Sequence, residues 1–154
     1  MLPVEFCRQS KNNSITLVVT AGVPSLVTLW AELAVRDITE ARQVLAWREG
    51  RSTQASLGIT GFWTSSNSNG PCAPQVAEWA DTHKLDGAVW TALGPKFCGV
   101  DGRVPTAQEV VAHLASLRGR ELQDAERYVR RAPAQIRTNY RREIEEQLGW
   151  FPAG

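Results

Sequence analysis

Thr28-Leu29-Trp30-Ala31-Glu32-Leu33 leads through three residues into Asp37-Ile38-Thr39-Glu40, and the segment that opens there runs on to Trp47-Arg48-Glu49-Gly50. The first part continues a β-branched and apolar run that starts at Leu26, as a strand does. The second part has the signals of a helix. Asp37 stands three residues before Glu40, the spacing of a capping box. Ile38, Ala41, Val44 and Leu45 fall on one face, and Gly50 supplies a stop. A strand feeding a capped helix predicts mixed structure, and the flanking segments decide which kind.

Upstream, Ser14-Ile15-Thr16-Leu17-Val18-Val19-Thr20 is strand-like, and Ala21-Gly22-Val23-Pro24-Ser25 carries turn chemistry, which predicts a hairpin or two neighbouring strands. Downstream, Ser56-Leu57-Gly58-Ile59-Thr60-Gly61-Phe62-Trp63 alternates as a third strand, and its two glycines permit a bulge or close backbone approach. Residues 64–71 are rich in Ser, Asn and Gly and read as a mobile surface loop. A short helix is expected over about 74–83 with Val76, Trp79 and Ala80 inward, followed by a buried strand at Asp86-Gly87-Ala88-Val89-Trp90-Thr91 and a loop at Gly94-Pro95-Lys96-Phe97.

The remainder reads as helical. Pro105-Thr106-Ala107-Gln108-Glu109 is a second capping box, opening a helix in which Val110, Leu114 and Leu117 share a face before Gly119. Another helix is expected over about 121–131, and Pro133 suits the first turn of a third. In that third helix Ile136, Tyr140, Ile144 and Leu148 recur every fourth residue, with Arg137 and Arg141 side by side next to the stripe. No repeat or linker interrupts the chain. The expectation is an α+β protein of one domain over 1–154: a small, mainly antiparallel sheet or partial barrel in a strand-rich 1–100, then a helical 104–150.

A chain of 154 residues is long enough to bury a core without metals or crosslinks. It is 43% hydrophobic and 21% charged, ordinary for a globular protein, and no apolar run approaches the roughly 18 residues of a spanning helix. The opening Met1-Leu2-Pro3-Val4-Glu5-Phe6 lacks the pattern of a secretory signal, so a cytoplasmic location without membrane contact is expected. Cys7, Cys72 and Cys98 are too few for a disulfide framework and read as reduced. His83 and His113 are the two histidines and neither lies at a metal-ligand spacing, so neither a metal nor another cofactor is indicated. The net charge of +1 gives no overall attraction for nucleic acid. Eight arginines lie at or after Arg118, among as many acidic neighbours as salt-bridged helix faces need.

Glu49 is the candidate catalytic carboxylate. The last turn of a helix carries negative partial charge and the adjacent Trp47 excludes water, and both favour the neutral acid and so acid or base work near neutral pH. A second set, Trp90 and Thr91 at a strand end, Lys96 in the next loop, and Arg137 with Arg141, offers the donors and apolar surface of a pocket for an anionic ligand. Trp30 and Trp47 complete the candidate ligand-binding residues. The alternative for the six tryptophans is core packing, and Cys98 is a weak candidate nucleophile.

Phe6-Cys7-Arg8-Gln9-Ser10, then Leu29-Trp30-Ala31, then Arg48-Glu49-Gly50 follow one another as the corresponding motifs do in γ-glutamylcyclotransferase-like proteins, so the first third of the chain resembles that family. The resemblance implies cyclisation of γ-glutamyl amines to 5-oxoproline with Glu49 as the general acid and base. The family's substrate-holding Tyr-Gly-Ser loop has no counterpart ahead of Phe6. The rest of the chain, notably Leu85 to Leu93 and Ala132 to Thr138, is similar to small uncharacterised bacterial proteins, which implies no activity.

Two functions from different classes follow. One is a small protein of cyclotransferase-like ancestry that binds an amino-acid-derived or anionic metabolite and, if an enzyme, uses Glu49. The other is a non-catalytic module that docks a protein partner, or a second copy of itself, through its Arg/Glu-rich C-terminal helices. Nucleic-acid binding through residues 118–142 is the weakest reading, and a steep loss of affinity with salt would mark it.

Overall fold

The computed structural model describes residues 2–21, 26–27, 34–48 and 58–153, with side chains at 4–21, 34–47 and 58–153. The protein is α+β. Its contacts sort into two compact units, Trp30–Leu93 with Met1–Leu2, and Pro3–Leu29 with Gly94–Gly154.

The first unit contains α1 (Ile38–Arg48), the strands β4 (Thr60–Thr64), β5 (Asn67–Asn69) and β6 (Gly87–Thr91), and α2 (Ala73–Thr82). The strands form an antiparallel sheet in the order β5-β4-β6, on which α1 and α2 both pack. The register sets Thr60, Phe62 and Thr64 opposite Thr91, Val89 and Gly87. That face meets α1: Arg42 donates to Thr60 Oγ1 at 3.0 Å and lies 4.5 Å over the Phe62 ring. Alternation turns Trp63 and Trp90 to the other face, where both are buried. The indole of Trp90 lies against Gly61 on the neighbouring strand and donates to Pro71 O at 2.9 Å.

Two expectations are corrected here. The polar segment 64–71 is not simply a loop, since Asn67–Asn69 pairs with Thr64–Phe62 as a hairpin strand. On α1, Val44 is 40% exposed, whereas Ala41 and Ala46 are buried. The helix is rotated so that Arg42 rather than Val44 meets the sheet. The inward residues expected on α2, Val76, Trp79 and Ala80, are the buried ones.

The second unit contains β1 (Leu2–Gln9, from Pro3 onward), β2 (Ile15–Val19), β3 (Leu26–Val27), β7 (Lys96–Phe97), β8 (Val100–Asp101), α3 (Ala107–Ser116), α4 (Gly119–Arg131) and α5 (Asn139–Leu148). The sheet runs β2-β1-β7-β8, with β3 also on β1. The hairpin therefore forms between β1 and β2, not between β2 and the run after the Gly-Pro turn. A bulge at Cys7 breaks the β1–β2 register after Phe6, and Glu5, Phe6 and Cys7 are all buried. The core joins Phe6, Ile15 and Phe97 to Val110, Leu114, Val129, Ile136, Tyr140 and Ile144 of the helical segment.

The helix ends form where their chemistry directs. Thr106 and Glu109 make the reciprocal capping box of α3, at 3.2 and 2.8 Å. Thr138 caps α5 by accepting from Arg141 N. Pro133 does not open α5: residues 133–136 make a turn, and the helix starts six residues later than Pro133. Gly119 does not end α3, which stops at Ser116 with Leu117 as its C-cap; it is the first residue of α4.

Glu5 is wholly buried, and its carboxylate accepts from Phe6 N and, at 3.4 Å, from Tyr140 N in the first turn of α5. A carboxylate at a helix start meets unpaired N–H groups and the positive end of the dipole. Burial, reinforced by the nearby Glu5 charge, pushes the Cys7 thiol up to about 12. The unfolded thiol, ordinarily at 9.0, releases its proton first, so the folded state holds more protons over that interval. The contribution of this group to stability is intact below pH 9.0 and falls as pH rises towards about 12. Thiol labelling of the native protein is expected to modify exposed Cys98 and spare Cys7 until the chain unfolds. Equal labelling of the two in native buffer would contradict the burial of Cys7.

Candidate functional site

A groove of about 710 Å³ opens in the first unit among the start of α1, the end of α2 and the start of β6. Its apolar lining comes from Ile38 and Ala41 of α1, Trp79 of α2, and Leu85 and Val89 at β6. Its charged lining is Arg36, Asp37, Lys84 and Asp86. Two cations and two carboxylates cancel, so the groove has an apolar floor and a locally charged but neutral rim.

Local chemistry positions each group. Asp37 accepts from Glu40 N at 2.9 Å, serving as the cap of α1. Arg36 is tied to Glu40, whose Oε2 accepts its backbone N–H at 2.8 Å and its Nε at 3.1 Å. The reciprocal half of the expected capping box thus goes to Arg36 N. These hydrogen bonds from Arg36 hold the Glu40 carboxyl below its ordinary range, and the same pairing raises the guanidinium. At α2, Lys84 N donates to Asp81 O and Leu85 N to Ala80 O, which closes the helix with Lys84 in the left-handed region at φ 53°. The turn aims the chain back into β6 and places Lys84 and Asp86 at the groove. Trp79 forms part of the floor, stacked 4.6 Å from the His83 ring. Gly87 sits in a tight place: a Cβ there would stand 3.2 Å from Trp63 O and 3.3 Å from Ile38 Cδ1, so either neighbour would have to give by a few tenths of an ångström.

The residues expected to form a site are dispersed. Glu49 and Trp30 lie outside the described residues. Trp47 is 74% exposed, so its ring is turned to solvent. Trp90 is buried with its indole N–H engaged by Pro71 O, and Thr91 Oγ1 accepts from Leu93 N in the same unit. Lys96 belongs to the other unit, where it pairs with Asp101 across the β7–β8 hairpin at 3.3 Å.

Arg137 and Arg141 do not stand together. Arg137 precedes α5 and is exposed, whereas the Arg141 residue is 1% exposed. Arg141 Nε donates to Glu145 at 3.0 Å, Nη1 to Pro133 O and Ile136 O, and Nη2 to Val129 O and Ala132 O. All five N–H groups of the fork are used inside the unit, chiefly to satisfy carbonyls at and beyond the end of α4. The side chain is a structural clamp and presents no donor to a ligand.

The acidic and basic rows of α4 are likewise engaged with one another. Arg127 pairs with Asp124, and Arg130 with Glu126 at 2.9 Å, three and four residues apart on the same helix. Such exposed pairs contribute little and leave fewer free charges for a partner.

The sequence reading singled out none of Arg36, Asp37, Lys84 or Asp86 as ligand-binding. Asp37 was legible only as a cap. For Lys84 the available signal was a charged residue where a helix-ending glycine is usual, two residues before the Asp-Gly that leads into a strand. Among the described residues no three His, Cys, Asp or Glu side chains converge to hold a metal, and no helix is long and apolar enough to cross a membrane. No protein-family profile, curated protein or solved structure matches the chain.

Proposed function

We propose that the protein binds a small amino-acid-derived or anionic metabolite in the groove between α1, α2 and β6. The observation that carries this reading is the groove itself: about 710 Å³, with an apolar floor and a few converging charges. Ligand sites commonly measure roughly 300–1,000 Å³ and combine those features. The reading draws nothing from Trp90, Lys96 or Arg141, whose side chains are occupied elsewhere.

Titration of ¹⁵N-labelled protein with amino acids, dicarboxylates and γ-glutamyl amines tests it. Shifts are expected to gather at the amides of residues 35–38 and 84–89. Shifts confined to other residues, or none from the whole panel, would remove the groove as the ligand site.

A separate reading rests on the resemblance and not on the groove, whose lining takes only the first turn of α1: cyclisation of a γ-glutamyl amine. The substrate's α-amino nitrogen attacks its γ-carbonyl carbon, the amine leaves, and Glu49 takes the proton from the first nitrogen and returns it to the second. Release of 5-oxoproline by the wild-type chain, lost in Glu49→Gln, is the expected result of that chemistry. The absence of release from both folded proteins would overturn the cyclisation reading and leave the groove reading as it stands.

A further inference from the structure

We propose that Lys84 and Asp86 make the groove a receptor for a zwitterion, an amino acid or short peptide with both ends free. The ligand carboxylate meets the Lys84 ammonium and the ligand ammonium meets the Asp86 carboxylate, a pairing that rests on the groove being the ligand site.

The first support is charge. Arg36 is engaged by Glu40 and Asp37 by the first turn of α1. Lys84 and Asp86 line the same groove, and among the described residues neither side chain has an ion-pair or hydrogen-bond partner. A simple anion drawn to Lys84 is repelled by Asp86, and a simple cation suffers the reverse. A ligand that carries both charges satisfies both.

The second support is distance. Two residues of chain bring the Cα atoms of Lys84 and Asp86 to within about 7 Å of each other, and the lysine stem extends the reach. A ligand with its two charges a few bonds apart, such as a dipeptide, can therefore address both residues. Ile38, Ala41, Trp79 and Val89 supply an apolar floor for its side chains.

The third support is backbone conformation. Lys84 occupies the left-handed position that closes α2, where glycine is favoured because a Cβ crowds the neighbouring carbonyl. A lysine there is the less stable choice for the turn, and it places a long cationic side chain at the groove. A strained residue beside a cleft is consistent with a role in binding.

The experiment uses the full chain, with L-leucyl-L-leucine, its N-acetyl derivative and its C-terminal amide as probes, titrated into wild type, Lys84→Gly and Asp86→Asn and followed at groove amides. Leucyl-leucine is expected to bind wild type in the groove, and blocking either end is expected to weaken it about tenfold, the loss of one charged contact. Lys84→Gly is expected to raise Tm by about 4 °C as the turn relaxes, while weakening leucyl-leucine about tenfold. A purely structural role would move stability without moving affinity. Asp86→Asn is expected to bind leucyl-leucine and its N-acetyl derivative alike. If the blocked probes bind the wild-type groove as tightly as the free dipeptide, or if folded Lys84→Gly binds it unchanged, the zwitterion proposal is overturned and the groove reading stands. If neither these probes nor the wider panel shift any groove amide, both fall together.

Discussion

Replacing Arg141 by Met is expected to destabilise the second unit by about 4 kcal/mol, the scale on which removing one partner from a buried charged network is felt. The buried guanidinium supplies donors to the carbonyls of Val129, Ala132, Pro133 and Ile136 and to Glu145. Methionine fills most of the volume but leaves Ala132 O and Ile136 O without the Arg141 donor, whereas Val129 O and Pro133 O keep the N–H groups of Ala132 and Ile136; each buried orphan costs on the order of 1–3 kcal/mol unless water reaches it. Arg141→Lys is the informative companion. An ammonium has three donors, so it cannot serve five acceptors in a planar fork, and its rescue is expected to be less than half. Native-state hydrogen exchange at the amides of α4 and α5 reads the change where it arises. Protection in Arg141→Met equal to that of wild type would mean that the clamp contributes nothing.

Gly61→Ala is expected to cost about 3 kcal/mol in the first unit, at the upper end of what overpacking a closed site does. A Cβ at residue 61 would stand 2.2 Å from Trp90 Cε2 and 2.5 Å from Nε1. The indole has little room to move, because it donates to Pro71 O at 2.9 Å and a Cβ at Gly70 would itself meet it at 3.2 Å. Any shift of the ring also gives up its hydrogen bond. Trp90→Leu alone leaves a cavity and an unpaired Pro71 carbonyl. Combined with Gly61→Ala it removes the clash, so the double variant is expected to be more stable than the sum of the two losses predicts. Simple additivity in chemical denaturation would show that Gly61 and Trp90 do not constrain each other.

What was legible in the sequence lies within a few residues of its own cause. The capping box at Thr106 and Glu109, the inward face of α2, and the stripe through Tyr140 and Ile144 follow from side chains that meet the backbone or each other one turn away. Where a local rule allowed two answers, the partner chose. The spacing on α1 permitted Val44 to face inward, but the sheet presented Thr60 and Phe62, and Arg42 met both. Arg137 and Arg141 are four residues apart, which places them together only if one helix holds both. The helix begins at Asn139, so they part.

Two strands escape a reading of local pattern for different reasons. Asn67–Asn69 is fully polar and becomes a strand through backbone pairing to β4. Leu2–Gln9 holds Glu5 and Arg8 within its run, yet it lies between β2 and β7 in its sheet. Glu5 is tolerated there because Tyr140 N, 135 residues away in the chain, is one of its partners.

The candidate site divides in the same way. The sequence by itself determined the α+β class, the helices that cap themselves, and the inward face of α2. Only the tertiary structure decided that Arg36, Asp37, Lys84 and Asp86 border one groove, that Arg141 is spent on backbone carbonyls, and that Trp90 is pinned between Gly61 and Pro71. The physical reason is range. Propensity and capping act over about one helical turn, whereas the energy of a charge or an indole depends on desolvation and on partners that folding brings from distant parts of the chain.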